Sequence, residues 1–113
     1  WLRDLIHLCR YRLEQNNGNG ADAQVMGWAR EAQRLYEERY LKAPNDPMAP
    51  DALSYYSEAN RLLGEGVPMQ VKLRVGNEGE REFMAQFRTS AAAAEFMAGT
   101  MKATVGKYEG RYI

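Results

Sequence analysis

Cysteine, histidine and long apolar runs are scarce in this chain of 113 residues, which has one Cys and one His. Because Cys9 has no second cysteine within the chain to pair with, the small secreted proteins held together by disulfides are excluded. We therefore expect a cytoplasmic location, or a periplasmic one if a leader was removed before Trp1. No apolar run approaches the roughly 20 residues of a membrane-spanning helix, so we expect no membrane partner.

An excess of charge of either sign is also lacking. Lys and Arg together number 15, as do Asp and Glu, so the net charge is zero. Such a chain has no overall field to attract nucleic acid or an anionic membrane. Hydrophobic residues make up 45 % of the chain, which is close to the globular average and excludes the disordered class. The length predicts a single domain over residues 1–113.

The first 66 residues show apolar side chains at spacings of three and four, which predict amphipathic helices. Helices are expected over 1–15, over about 23–42 with Asp22 as the N-cap, and from Pro50 or Asp51 to the glycines Gly64 and Gly66. The apolar stripes are Leu2, Leu5, Ile6, Cys9 and Leu13; then Val25, Trp28, Ala29, Ala32, Leu35, Tyr36 and Tyr40; then Ala52, Tyr55, Tyr56, Ala59, Leu62 and Leu63.

The spacing changes to two in residues 67–113, where apolar and polar residues alternate over 67–75 and again over 82–88. With the turn residues 76–79 between them, these segments predict a β-hairpin. A last helix is expected from Thr89 or Ser90 to Gly106, followed by an irregular tail over 108–113. The predicted fold is α+β, in the order ααα-ββ-α, with 1–66 as its helical part and 67–113 as hairpin plus helix.

A hairpin of two strands is marginal alone, so the last helix and part of the helical bundle are expected to cover its Val and Phe face. Its two outer edges are predicted to be open. Open strand edges invite pairing with another chain, and they allow a homo-oligomer.

Residues 29–66 resemble the helix–proline loop–helix junction of tetratricopeptide repeats. In that family an Ala and a Tyr four residues apart precede a helix-stopping Pro, and small and aromatic residues pack the next helix. The matching residues here are Ala32, Tyr36, Pro44, Ala52, Tyr56 and Ala59. The repeat does not recur, and an array needs about three units, so a solenoid is not expected. The resemblance implies a helical surface that binds protein.

Residues that could support catalysis, or hold a cofactor or a metal, form no recognisable pattern. His7 and Cys9 are two residues apart on a helix, so their side chains point about 200° away from each other. The glycines match neither a phosphate-binding loop nor a dinucleotide fingerprint. We therefore predict no enzyme activity, no cofactor and no metal site.

Basic residues are slightly enriched in residues 67–113, which carry seven Lys or Arg and five Asp or Glu. A nucleic-acid contact through the outer face of the hairpin would use Lys72, Arg74 and Arg88, with Arg81 near the turn. However, no aromatic residue is expected on that face to stack on a base.

Tyrosine is in surplus, with seven residues in the chain. Tyrosine suits protein interfaces because it offers a large contact area at low entropic cost, and we single out Tyr11, Tyr55, Tyr108 and Tyr112 as candidate interface residues. The sequence therefore favours a non-catalytic protein–protein interaction module: an adaptor, an assembly subunit or a small inhibitor. The alternative is an accessory protein that binds nucleic acid.

Overall fold

A computed structural model of the chain describes residues 1–43, 46–74, 80–102 and 108–112. Those residues form four helices and three strands, which confirms the α+β class. In chain order they are α1 (Leu2–Gln15), α2 (Ala23–Arg39), α3 (Ala49–Leu62), β1 (Val67–Arg74), β2 (Glu80–Phe87), α4 (Ser90–Lys102) and β3 (Tyr108–Tyr112). The predicted positions of Pro44, of the hairpin turn and of the stop at Gly106 lie outside the described residues.

Helices α1 and α2 pack antiparallel to each other. Cys9 near the middle of α1 lies against the start of α2, with its Sγ 3.6 Å from the carbonyl oxygen of Val25. Asp22 caps α2 as expected, since its carboxylate accepts a hydrogen bond of 3.0 Å from the Val25 N–H. The other oxygen of Asp22 accepts from the Arg12 Nε at 2.9 Å, so one side chain starts α2 and also ties it to α1.

The C-terminus of α2 is at Arg39, three residues before the predicted end at residue 42. The reason is that the N–H groups of Tyr40 and Leu41 both donate to the carbonyl oxygen of Tyr36, which breaks the regular pattern. Leu41 is then buried in the core.

A row of aromatic rings connects the helices to the sheet. The Tyr36 ring of α2 stacks on the Tyr56 ring of α3, with 4.2 Å between centroids. Tyr56 meets Phe87 of β2 edge-on at 5.8 Å, and Phe87 lies 5.1 Å from Phe96 of α4. Because these rings are buried, the helical part and the sheet share one hydrophobic core.

The sheet is antiparallel, with the strand order β2-β1-β3. One face is buried under α4, which contacts all three strands, and this face carries Met69, Val71, Ala85 and Phe87. The opposite face is the outer face of the sheet, where the alternating residues are partly or fully exposed. They include Pro68, Gln70, Lys72, Glu82, Met84, Gln86 and Arg111.

The outer edge of β2 is covered by side chains of α3. The N–H of Gln86 donates to the Ser57 Oγ at 2.8 Å, and its carbonyl oxygen accepts from the Asn60 Nδ2 at 2.5 Å. Two residues along, the Arg88 N–H donates to the Tyr56 Oη at 3.1 Å. These three α3 side chains take the place that a further strand would occupy.

Two expectations about the C-terminal half were therefore wrong. The tail is not irregular, because residues 108–112 form β3 and pair with β1. The hairpin edges are not both open either: β3 covers the edge of β1, and α3 covers β2 from Met84 to Arg88. Residues 108–112 were not predicted as a strand, because the segment is short and has glycine at its centre.

Gly110 allows β3 to approach the core closely. A Cβ at this position would overlap the Cε of Met69 and would lie 3.0 Å from the Sδ of Met97. β3 is therefore held between β1 beside it and α4 above it.

Asn60 provides a test of the edge contact. It is fully buried, and its Oδ1 also accepts from the Gln33 Nε2 at 2.7 Å. Asn60→Ala would leave the Gln86 carbonyl unpaired, so we expect the free energy of unfolding to fall by about 2 kcal/mol. Denaturant titration measures this change.

Asn19→Ala is the matched control, because Asn19 is exposed. We expect this control to stay within about 0.5 kcal/mol of the original chain. An equal loss for both variants would contradict the role of Asn60.

Candidate interaction surfaces

Exposed large apolar side chains of the helical part lie on α1, near the start of α3 and, at Met26, on α2. Leu8 is 40 % exposed, Tyr11 62 % and Met48 54 %. Trp1 is also exposed, and Tyr55 is half-buried. We call Leu8, Tyr11, Met48, Trp1 and Tyr55 the helical flank. Scattered exposed apolar residues are ordinary, but a contiguous group marks an interaction site.

The residues of the helical flank line two depressions. The first runs along α1, has a volume of about 480 Å³ and is lined by Arg3, Asp4, His7, Leu8 and Tyr11. The second is smaller, about 50 Å³, and lies between the N-terminal ends of α1 and α3. It is lined by Trp1, Leu2, Arg3, Tyr40, Met48, Asp51, Ala52 and Tyr55. Arg3 lines both depressions, so they adjoin at this charged side chain.

An ion pair fixes α1 beside α3 next to this surface. Arg10 makes a two-pronged contact with Glu58, at 2.9 Å from its Nε and 2.6 Å from its Nη2. Accordingly, the Glu58 carboxylate raises the pKa of Arg10. A bidentate pair of this kind restricts both side chains and so holds the two helices in register.

The structure brings together two of the four candidate interface tyrosines. Tyr11 and Tyr55 both belong to the helical flank. Tyr108 and Tyr112 are the first and last residues of β3, where their backbones pair with Leu73 and Met69. The side chains of Tyr108 and Tyr112 lie outside the described part of the structure.

Trp1, Leu8 and Met48, the other members of the helical flank, were not among the candidates predicted from the sequence. Leu8 lies outside the apolar stripe of α1, and an apolar residue off the stripe was a signal that could have been used. Met48 directly precedes α3, and its exposure depends on how the loop enters that helix, which periodicity does not report.

Of the four basic residues proposed to bind nucleic acid, the structure describes the side chains of two, Lys72 and Arg88. Lys72 lies on the outer face of the sheet, 3.9 Å from the Glu82 carboxylate, and the Arg88 Nε donates to Glu37 at 2.8 Å. Arg74 and Arg81 are described only by their backbones, which pair with Glu80 and Leu73. The residue that pairs with Lys72 is Glu82, so Arg81 is one residue away along β2 from the position opposite Lys72.

A depression of about 330 Å³ lies on the outer face of the sheet. Its lining residues are Gln70, Lys72, Glu82, Gly110 and Arg111. Charges of both signs line it, and Glu82 offsets one of the two cations. No exposed aromatic side chain appears on this face among the described residues, so a base would find no ring there to stack on.

The side chains of Cys9 and His7 lie on different faces of α1, as their spacing predicts. Cys9 is buried and His7 is exposed. Burial, together with the nearby Glu58 carboxylate, raises the pKa of the Cys9 thiol to about 11, so it stays protonated near neutral pH. Nucleophilic and metal-binding cysteines act as thiolates, and this thiol is unsuited to both roles.

Among residues 1–43, 46–74, 80–102 and 108–112, no three metal-ligating side chains come together. Within the same ranges, no helix combines the length and the apolar character needed to cross a membrane.

Ion pairs and a helix-cap hydrogen bond lower the pKa of three carboxyl groups among the described residues. Arg30 lowers the pKa of Glu65, and Arg34 lowers the pKa of Glu31. Hydrogen bonds from the Val25 N–H and the Arg12 side chain lower the pKa of Asp22. A general acid needs a raised carboxyl pKa, so these three groups are suited to structural contacts.

Comparisons of the chain with protein-family models, with curated proteins and with solved structures found no match.

Cys9 should make stability fall in alkaline solution. The folded thiol, with its pKa near 11, keeps its proton where the unfolded thiol, with its usual value of 9.0, loses it. Raising the pH from 9 to 11 therefore favours the unfolded chain, by up to about 2 kcal/mol. Denaturant titrations at several pH values on the original chain and on Cys9→Ala measure the difference. If the free energy of unfolding fell equally steeply with pH in both chains, the burial of this thiol would be contradicted.

Proposed function

We propose that this protein is a non-catalytic protein–protein interaction module that docks a partner protein on the helical flank. The observation that carries the proposal is the exposure of Leu8, Tyr11 and Met48, at 40 %, 62 % and 54 %, along two depressions that share Arg3 and are also lined by Trp1 and Tyr55. Exposed apolar area of this kind is favourable to bury, and aromatic residues and methionine are enriched in the centres of interfaces. An adaptor, an assembly subunit or a small inhibitor would each use such a surface.

The shape of the flank favours an amphipathic helix as the docking element of the partner. Asp4, His7, Leu8 and Tyr11 follow one another at spacings of three, one and three, so they form one stripe along α1. Side chains at such spacings form ridges and grooves that receive the apolar stripe of another helix. Leu8 and Tyr11 would supply the apolar contacts, while Asp4 and His7 would supply polar contacts at the rim.

Two further features support an interaction role. The helical hairpin of α2 and α3 resembles a tetratricopeptide unit, a family that binds proteins. In the hairpin, Tyr36 and Tyr56 pack against each other in the core, which leaves other faces of the helices free for a partner. The protonated, buried thiol of Cys9 suits the reducing cytoplasm, which is the location we propose.

Nucleic-acid binding is the alternative function. Its candidate residues Lys72 and Arg88 each have a carboxylate neighbour, Glu82 and Glu37. Phosphate contacts would have to compete with these carboxylates, so the outer face of the sheet favours this function less than the helical flank favours protein binding.

Capture from an extract of the source cells tests the proposal. The immobilised chain is compared with a Leu8→Asp/Tyr11→Ala double variant, whose substitutions fall on exposed side chains and should leave the fold intact. We expect the double variant to retain roughly tenfold less of the specific partner, since truncated interface aromatics often cost 1–2 kcal/mol or more. Added salt should change the capture little, because the contact is apolar.

Met84→Ala is the matched control, since Met84 is an exposed apolar residue on the outer face of the sheet. It should capture the partner as well as the original chain does. Equal capture by the double variant would contradict the flank as a docking surface. Recovery of nucleic acid that is lost with salt and with Lys72→Ala would favour the alternative function.

A further inference from the structure

The two outer edges of the sheet differ. Along β2, the N–H and C=O of Gln86 and the N–H of Arg88 are bonded to side chains of α3. β3 forms the opposite edge, and its neighbours among the described elements are β1 beside it and α4 across its face. Among the described residues, no element runs along the outer side of β3.

The hydrogen-bond pattern shows which groups point outward from β3. Since the N–H and C=O of Gln86 point towards α3, its partner Pro68 faces away from β2, as do the alternate residues Gln70 and Lys72. These two residues therefore exchange hydrogen bonds with Arg111 and Glu109 of β3. The N–H and C=O groups of the other three β3 residues, Tyr108, Gly110 and Tyr112, point to the open side.

The sequence of β3 complements itself. It reads Tyr-Glu-Gly-Arg-Tyr, with an acid and a base at equal distances from the central Gly110. If two such strands pair antiparallel about Gly110, Glu109 of each copy lies opposite Arg111 of the other. The same register places Tyr108 of one copy opposite Tyr112 of the other. The outward N–H and C=O groups of Tyr108, Gly110 and Tyr112 can then form hydrogen bonds between the two copies.

The spacing of the charges and the direction of the backbone groups thus agree on one register. A register shifted by one residue would place outward-pointing groups opposite inward-pointing ones, and it would lose the hydrogen bonds. A shift by two residues restores the hydrogen bonds but leaves one Glu109 opposite Glu109, or one Arg111 opposite Arg111. Charged edge strands resist indiscriminate pairing, and a partner strand with the same order of charges, paired antiparallel, places opposite charges at both positions.

We propose that a second copy of this chain pairs with the first along β3, antiparallel and centred on Gly110, to form a symmetric dimer with a continuous sheet of six strands. Such a contact is isologous, because both copies use the same five residues. Its two-fold symmetry gives a closed dimer and not a longer chain of copies. The dimer contact uses the β3 edge of the sheet and none of the residues of the helical flank, so it does not depend on the proposed docking of a partner.

Charge reversal and mixing test the dimer. In a dimer of the Glu109→Arg variant, an arginine at position 109 of each copy faces Arg111 of the other. In a dimer of the Arg111→Glu variant, a glutamate at position 111 of each copy faces Glu109 of the other. Because opposed like charges in cross-strand pairs are unfavourable, we expect each variant alone to dimerise at least roughly tenfold more weakly than the original chain. Sedimentation equilibrium over a concentration series measures the mass, with 12.9 kDa for the single chain.

Mixing the two variants restores every opposite-charge pair, so we expect a mixed dimer to form from two weakly associating chains. The Glu109→Arg/Arg111→Glu double variant should also recover the dimer. Neither recovery would follow if the substitutions merely damaged the fold. A Leu8→Asp/Tyr11→Ala chain should dimerise normally, which separates this result from the docking test.

Tyr112→Pro provides a second measurement. The N–H of residue 112 points to the open side, so proline there removes a bond between copies but none to β1. We expect the dimer to be weaker than that of a Tyr112→Ala chain, which loses the same side chain but keeps this N–H. The proposal would be overturned by an original chain that remains at 12.9 kDa at the highest attainable concentration, or by single variants that dimerise as well as the original chain.

Discussion

The contact between α3 and Gln86 fixes the arrangement of the rest of the molecule. A strand edge that enters the protein interior must have partners for its N–H and C=O groups, since an unpaired buried group costs about 1–3 kcal/mol. Ser57 and Asn60 provide those partners from a helix, at 2.8 and 2.5 Å. Asn60 is held in turn by Gln33 of α2. Two helices and the sheet are thereby connected through one small set of directional bonds.

This contact also sets the asymmetry of the sheet. Because α3 occupies the outer edge of β2, a further strand can be added only beside β1, and β3 takes that place. The sheet can then extend only beyond β3, where the outward groups of Tyr108, Gly110 and Tyr112 lie. Gly110 suits this arrangement, since a Cβ there would require the Cε of Met69 beneath the strand to move.

The helices, the two strands of the hairpin and the α+β class could be predicted because each depends on a periodic apolar pattern that survives in the sequence. The apolar stripe of α1 correctly gave Leu2, Leu5, Ile6 and Cys9 as buried. In contrast, β3 has two charges and a glycine in five residues, and its stability comes from pairing with β1, a contact that local patterns do not report.

The candidate surfaces were predicted only in part, for related reasons. Tyr11 and Tyr55 were predicted as interface candidates because tyrosine is in surplus and suits protein interfaces. Ser57 and Asn60 are polar residues that would normally be assigned to solvent, yet both are buried because the edge of β2 needs them. Whether a polar residue faces water or a strand edge depends on the packing of distant segments, which composition and spacing do not contain.

The use of charge inside the molecule limits how it can recognise a partner. Arg10 is paired with Glu58 between α1 and α3, and Arg88 with Glu37 between the sheet and α2. With a net charge of zero, the chain has little long-range field to steer association. Recognition must then depend on short-range features, such as the burial of apolar area and the order of charges along a strand. The helical flank presents the first of these features and β3 the second, so the two surfaces can act independently.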